Sequence, residues 1–565
     1  MIGPFKRMFK RGRNQNREID PDEIFLDSSN LPEFDTSQFE GRMEKPIPRK
    51  VLFILGAFFF LISVLFLYKV GKLQIVQGEK YAKTSMQNHL RNTLIFAHRG
   101  AILDRNAVLL AGNIPGDSDE NFLGRKYSDI LGMSHIIGYI KYPKKDSSGF
   151  YYTKELKGYD GVEKQYDADL SGENGLKIVE TNALGALQSE SVIRPPQDGK
   201  NLTLTIDSRV QSKFFELIGE VATDLSFQGG AGVIMDITDG GVLALASYPE
   251  YKSSVMTEGD DGDTIKKYLT DKRTPFLDRI ISGAYTPGSI VKPFMATGAL
   301  NEKVITSEKQ ILSTGSISIP NPYNPKEKSV FLDWRPQGWV DIRKAIAVSS
   351  NVFFYEVGGG FENQKGLGIT NIEKYARLYG LGEKTGIDLP GEVSGVIPNP
   401  SWKALNFDGD AWRVGDTYHT VIGQYGFQVT PLQMVRGIAA IANFGKLITP
   451  HVVVDDKDVF PRDLKIPRDV LKVVQEGMRQ TVTLGTAPGL KFEDVHVAAK
   501  TGTAQVGISK QRINSWVVGF FPYENPRFAF TLMMETGPND SEVGAVRVMR
   551  QMIDWMRVYT PEYMK

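Results

Sequence analysis

A chain of 565 residues, 41% hydrophobic and 24% charged, carries apolar material for more than one folded core. A formal net charge of +1 leaves no basic excess of the kind a phosphate backbone needs, so nucleic acid is not an expected partner. The chain has no cysteine, and its six histidines (His89, His98, His135, His419, His451, His496) show no metal-ligand spacing, so disulfides, thiolate chemistry, a metal and a cofactor all fall outside the expectation.

Residues 1–50 are polar with charge of both signs and read as a coreless cytoplasmic tail. Val51 to Tyr68, VLFILGAFFFLISVLFLY, carries no charge between Arg49-Lys50 and Lys69, so residues 51–70 are expected to form a transmembrane anchor. Basic residues precede it (Lys6, Arg7, Lys10, Arg11, Arg13, Arg17) and also follow it, which favours only modestly an N-terminus inside. From 71 to about 227, short apolar runs alternate with Gly, Asp, Asn and Lys clusters, the texture of an elongated β-rich module.

A second domain is expected over 228–565. Gly232 to Ile237 and Val242 to Ser247 flank Thr238-Asp239-Gly240-Gly241 as a hairpin. Helices are expected at Ser289–Leu300, Ile342–Val357 and Pro431–Asn443, then strands at Val495–Ala499, Ser515–Phe520 and Arg527–Met534. Strands at both ends with helices between describe one α+β domain whose mainly antiparallel sheet is completed by distant segments.

Three short motifs carry chemistry. Ser289 and Lys292, in AYTPGSIVKPF, sit three residues apart, so on a helix they share a face within hydrogen-bond reach, and a lysine kept partly neutral by burial could take the serine proton. About two S-x-x-K matches arise by chance at this length. S-x-N occurs as Ser28-Ser29-Asn30, in the tail, and as Ser349-Ser350-Asn351, read as the end of an apolar helical stretch. K-T-G occurs as Lys384-Thr385-Gly386 before a loop-like run and as Lys500-Thr501-Gly502 after the strand-like DVHVAA; the second is the better edge-strand binding site. Each residue alone also has an ordinary reading as a cap or surface lysine.

SIVK, SSN and KTG in that order resemble the active-site set of serine penicillin-binding proteins and β-lactamases, a grouping general to that superfamily. HRGAILDRN, GVEKQYDADLSGENG and LTLTIDSRVQ look like the N-terminal module of class B penicillin-binding proteins, and TGIDLPGE, GQYGFQVTPLQM and WVVGFFP like their transpeptidase domain. WRVGDTYHTVIGQ and KTGTAQV are closer to the elongation type (penicillin-binding protein 2) than to the division type, although the module after the anchor is short for that branch.

The resemblance implies a serine-type peptidoglycan D,D-transpeptidase. It would cross-link stem peptides through an acyl-enzyme with release of D-Ala during cell-wall elongation, and β-lactams would acylate it. Ser289 would be the nucleophile and Lys292 its base, with Ser349, Asn351 and Lys500 completing the catalytic set. Thr501, Gly502 and Thr503 would bind substrate, and the N–H groups of Ser289 and Thr503 would form the oxyanion hole. Implied partners are stem peptides, lipid-linked glycan strands, a membrane glycosyltransferase of the shape, elongation, division and sporulation type, and morphogenetic proteins. The implied location is the cytoplasmic (inner) membrane, single-pass, with the catalytic domain outside. Division-type transpeptidase, D,D-carboxypeptidase or β-lactamase, and non-catalytic β-lactam-binding sensor or scaffold are the rival readings. Arg99, Asp104, Arg105 and Glu163 are expected to pair and hold the membrane-proximal module to the head. Gly415, Asp416 and Thr417 should shape the cleft rim, Gly423 and Gln424 should support packing behind it, and Trp516 should pack in the sheet.

Overall fold

The computed structural model describes residues 48–564 except 116–121, 146–150, 182–186, 325, 455–459, 508–510 and 542. Ser28-Ser29-Asn30 lies outside the described residues. The chain divides into two units, residues 1–91 and 92–565.

The first unit contains helix α1, Arg49–Gly71, continued by a wider turn over Lys72–Val76. It has no buried residue and is the one helix among the described residues long and apolar enough to cross a membrane. An apolar helix without a polar face has no packing direction in water, whereas a bilayer satisfies it on all sides.

In the second unit, β1 (Ile102–Leu103), β2 (Leu109–Ile114) and β3 (Gly124–Tyr127) form a sheet closed on its other edge by β4 (Leu202–Thr203), which runs parallel to β1. Glu163 is wholly buried in this module and paired to two guanidiniums, Arg99 Nε at 2.5 Å and Arg125 Nε at 2.8 Å. Buried charge is tolerated when paired in this way. Arg99, Arg125 and Glu163 therefore tie the module to itself. Asp104 instead reaches the helix that starts at Ser208 and packs on the sheet of the head: its carboxylate accepts from Ser208 N and Oγ at 3.1 and 2.7 Å. Arg105 N donates to the Ile206 carbonyl.

Helix α2 (Ser208–Asp224) follows, capped by Asp207. Strands β5 (Gly229–Asp236) and β6 (Val242–Tyr248) form the expected hairpin. Among the helices that follow, those that build the site and its support are α3 (Lys292–Asn301), α4 (Ile342–Ala347), α5 (Asn351–Gly359), α6 (Pro431–Ala442) and α7 (Arg468–Thr483). Strands β7 (Ala498–Val506), β8 (Arg512–Phe521) and β9 (Phe528–Pro538) precede α8 (Gly544–Tyr559).

The five long strands make one antiparallel sheet in the order β6-β5-β9-β8-β7, so β5 and β9, whose paired residues run from Asp236 with Phe528 to Gly229 with Glu535, are neighbours in it although they stand at opposite ends of the domain sequence. Helices α2 and α8 cover one face and α6 and α7 lie against the other, giving the α+β architecture. GGAG in β5 explains the close approach of α2. A Cβ on Gly232 would stand 2.3 Å from Phe214 Cζ, and one on Gly230 would stand 2.6 Å from Ile218 Cγ2. Behind the sheet, all twelve residues of α6 are buried. Its start is legible in VTPLQM: Thr430 Oγ1 accepts from Gln433 N, Gln433 Oε1 accepts from Thr430 N, and Pro431 opens the helix.

Two expectations need correction. The helix expected over Ile342–Val357 is two helices, broken at Val348-Ser349-Ser350, because Ser349 adopts the left-handed region at φ +57°. Ser349 and Ser350 therefore lie in the break and Asn351 opens α5, so SSN does not end the stretch. Likewise Lys500–Thr503 lie within strand β7 and not after it.

Candidate active site

The segment before Ser289 is fastened on three sides. Tyr285 exchanges two backbone hydrogen bonds with Val429, both 2.9 Å; Gly288 N donates to the Gly423 carbonyl at 3.0 Å; and Trp516 Nε1 donates to the Thr286 carbonyl at 3.1 Å. Trp516, 1% exposed, thus packs in the sheet as expected and also holds the loop. Gly423 has φ +76°, and a Cβ there would stand 2.3 Å from the Gly288 carbonyl oxygen, so only glycine lets the two segments meet.

Gly288–Val291 then forms a 3₁₀ turn that runs into α3 at Lys292. The turn lies against β7, the free edge of the sheet, where a Cβ on Gly502 would stand 2.9 Å from Ile290 Cγ2 and 3.0 Å from the Pro287 carbonyl oxygen. Gly502 is what permits this contact between nucleophile turn and edge strand.

Lys292 is fully buried. Its Nζ donates to the Ser349 carbonyl at 2.8 Å, to Asn351 Oδ1 at 2.7 Å and to Ser349 Oγ at 3.3 Å; among the described residues these are its partners, and not the half-buried Ser289. Lys500, also fully buried, donates to the same Ser349 Oγ at 2.8 Å and to the Thr501 carbonyl at 2.7 Å. Residues from three motifs thus converge on one hydroxyl, with Lys292, Ser349 and Lys500 in a single chain of contacts.

Burial lowers the Lys292 ammonium to about 7, against a smaller opposing pull from Asp333. Lys500 is held well below its ordinary value, first by burial and then by the charge of Lys292. Two ammoniums bonded to one hydroxyl in a dry site resist double protonation, so the pair titrates as a unit.

The Thr501 and Thr486 hydroxyls hydrogen-bond at 2.5 Å, either one able to donate, while Thr503 is exposed on the same strand. The other K-T-G copy is structural: buried Glu392 accepts from Thr385 N, Thr385 Oγ1 and Gly386 N at 2.6, 2.5 and 3.0 Å. Of the residues expected at the rim, Asp416 Oδ2 accepts from Arg413 N and pairs with Lys403 Nζ, both 2.7 Å, and Thr417 Oγ1 accepts from Trp412 Nε1 at 2.8 Å.

One residue escaped the sequence reading. Asp333, 9% exposed, gathers Ser313, Ser350 and the backbone of Val352 around a single carboxylate. No motif marks it, since the contact depends on a loop folding back onto the α4–α5 break.

With this geometry in place, likeness to known proteins adds a second line. A family model described as the penicillin binding protein transpeptidase domain matches residues 230–554, and one described as the penicillin-binding protein dimerisation domain matches 120–204. Peptidoglycan D,D-transpeptidase MrdA of Salmonella typhimurium is 30% identical over 477 residues, which span 78% of this chain and 73% of that protein. Penicillin-binding protein PBP2 of Helicobacter pylori, solved in complex with MreC, superposes with a TM-score of 0.69 at 28% identity, covering 83% of this chain and 100% of that one. A structure titled as the coordination of polymerization and crosslinking by a peptidoglycan synthase complex gives a TM-score of 0.69 at 26% identity, covering 90% and 98%.

Proposed function

This chain belongs to the penicillin-binding protein transpeptidase family, as a peptidoglycan D,D-transpeptidase of the elongation type, and we propose that Ser289 carries its acyl transfer with Lys292 as base. The observation that carries the assignment of roles is the pair of buried lysines meeting at Ser349 Oγ. A neutral Lys292 has two N–H bonds to donate. The two shorter contacts, to the Ser349 carbonyl and Asn351 Oδ1, take both, so in the neutral amine the 3.3 Å contact with Ser349 Oγ is no longer a donation and the nitrogen lone pair is open to a hydroxyl proton.

In the first step Lys292 takes the Ser289 proton as Oγ bonds to the penultimate D-Ala carbonyl carbon. The C–N bond to the terminal D-Ala then breaks, and the leaving nitrogen receives a proton through Ser349 Oγ, which both donates and accepts. An amine from a second stem peptide attacks the ester, gives up a proton along the same relay, and Ser289 regains its hydrogen. Backbone N–H groups of Ser289 and Thr503 are assigned to the oxyanion, a contribution of about 3–4 kcal/mol for such donors. Lys500, Thr501 and Thr503 would receive the substrate carboxylate, and Gly502 lets its backbone close on β7.

Division into a tail (1–50), anchor (51–70), pedestal (71–227) and transpeptidase domain (228–565) fits this work, since α1 would hold the head at the membrane where its substrate is made. The chain is a single-pass membrane protein; the N-terminus is assigned inside and the catalytic head outside the cytoplasmic membrane. As the relatives suggest, partners are a MreC-like morphogenetic protein and a membrane glycosyltransferase, with lipid-linked glycan strands as shared substrate.

Incubation with a labelled penicillin tests the reading. A long-lived adduct on the peptide containing Ser289, lost in Ser289→Ala, is expected. An adduct that turns over rapidly, or one that survives Ser289→Ala, would overturn it.

A further inference from the structure

The Ser349-Ser350-Asn351 turn has a cost that its own residues do not offset. Ser349 holds φ +57°, a region that non-glycine residues occupy at about 1–3 kcal/mol unless surrounding contacts enforce it. The enforcing contacts come from a segment on no motif. Asp333 Oδ2 accepts from Ser350 Oγ at 2.7 Å, Val352 N at 3.1 Å and Ser313 Oγ at 3.1 Å, and its Oδ1 accepts from Trp334 N at 2.9 Å. Trp334 Nε1 in turn donates to the Val348 carbonyl at 3.1 Å. Asp333 and Trp334 therefore grip the chain on both sides of Ser349: Val348 before it, Ser350 and Val352 after it. Ser350 Oγ also caps α5 by accepting from Phe353 N at 3.3 Å, so the clasp sets where that helix starts and hence where Asn351 stands.

Building on the acyl-transfer reading above, we propose that Asp333 is a positioning residue for the reaction. Its carboxylate clasps Ser350 and Val352, so that the Ser349 hydroxyl and the Asn351 amide meet Lys292 in working geometry. A neutral side chain could make some of these hydrogen bonds, but a carboxylate accepts all four without needing to donate, and each is charge-assisted. Its charge has a second effect. The charged groups facing Lys292 are Lys500 from β7 and Asp333 from this loop, while α5 offers Asn351 and the ring of Phe354, 5.4 Å from Nζ. Tyr355, the nearby phenol, donates to the Leu332 carbonyl and is held above its ordinary value by burial and then by Asp333. Asp333 is thus the group that resists the fall in Lys292 basicity caused by burial.

The test measures the second-order rate of Ser289 acylation by a fluorescent penicillin on the full-length protein in detergent, from about pH 5 to about pH 9, for wild type, Asp333→Asn and Ser350→Ala. Wild type must label first; if it does not, the acyl-transfer reading fails before the variants are compared. Asp333→Asn is expected to lower the plateau rate about 10- to 100-fold through misplacement of Ser349 and Asn351. It should also move the acid limb to lower pH, since loss of the negative charge lets Lys292 shed its proton more easily. Ser350→Ala, which keeps the charge and removes one arm, should lower the plateau with the limb unmoved. Wild-type plateaus in both variants overturn the proposal. So does a loss in Asp333→Asn that tracks a lower melting temperature with the limb in place, because that marks a purely structural carboxylate. Should Asp333→Asn not fold, Ser350→Ala decides: a lowered plateau at unchanged melting temperature supports the clasp, and an unchanged plateau overturns it.

Discussion

Lys500 Nζ lies 2.8 Å from Ser349 Oγ, a contact between residues 151 positions apart, and it closes the cleft from the side opposite Lys292. The relation makes Ser349 more than a neighbour of the base. Its oxygen is the point through which the two lysines communicate.

Removal of that oxygen should therefore be costly to chemistry and nearly neutral to folding. Ser349→Ala is expected to lower penicillin acylation about 100-fold or more, the usual range for a lost proton-transfer group. Ser349→Gly should lose as much activity yet be more stable than the alanine variant by about 1 kcal/mol, because glycine occupies φ +57° without strain. Urea unfolding of the two variants side by side decides the second claim; equal stability would count against strain at this residue.

Burial of Lys292 predicts a pH dependence in two observables. The rate of acylation should fall as pH drops through about 7, where the base gains its proton. Stability should move the same way: between the folded value of about 7 and the ordinary 10.5, the unfolded chain binds the proton and the folded one does not, so stability rises with pH across that window. Lys292→Met, inert toward penicillin, is then expected to melt about 2–4 °C higher than wild type at neutral pH, with the difference shrinking as pH rises. A gap that widens toward alkaline pH would contradict the sign.

Gly423→Ala tests the support behind the nucleophile. The added methyl at φ +76° would stand 2.3 Å from the Gly288 carbonyl oxygen, so a loss of about 2 kcal/mol or more is expected, with slowed labelling of Ser289 in the fraction that still folds. Thermal melts and labelling stoichiometry read the two effects separately.

The two K-T-G copies can be told apart in one experiment. Lys384 is exposed, and Lys384→Ala should leave acylation within about twofold of wild type, as surface substitutions do. Lys500→Ala should abolish most of it. Thr385→Val, which takes one donor from buried Glu392, should cost about 1–3 kcal/mol of stability without affecting the chemistry of the folded fraction.

Much of the fold was readable because its signals are local. The apolar run of α1, the hairpin around Thr238–Gly241, the capping box at Thr430 and the strand-like runs near the C-terminus each announce themselves within a dozen residues. The break at Ser349 was not read, since the apolar pattern of IRKAIAVSSNVFFYEV resumes after Ser-Ser-Asn, whose poor helix propensity marks a cap without saying that a second helix starts there. What overrides the pattern is Asp333, Trp334 and the two lysines, all brought in by tertiary contact. Arg99 and Glu163 illustrate the same limit. Their charges were rightly read as partners, but only the packed module shows that they bind inward with Arg125, leaving Asp104 to reach Ser208.

By itself the sequence determined the order of elements, the membrane-length apolar helix, and the ordered set Ser289-x-x-Lys292, Ser349-x-Asn351, Lys500-Thr501-Gly502, since residue type and spacing are enough to state which chemical groups exist. Only the tertiary structure decided that Lys384-Thr385-Gly386 is held by buried Glu392 while Lys500 meets Ser349, and that both lysines of the site are buried around a single hydroxyl. The physical reason is that basicity and proton paths depend on desolvation and on distances of about 3 Å, and these are set by segments hundreds of residues apart folding into one sheet and one break between helices.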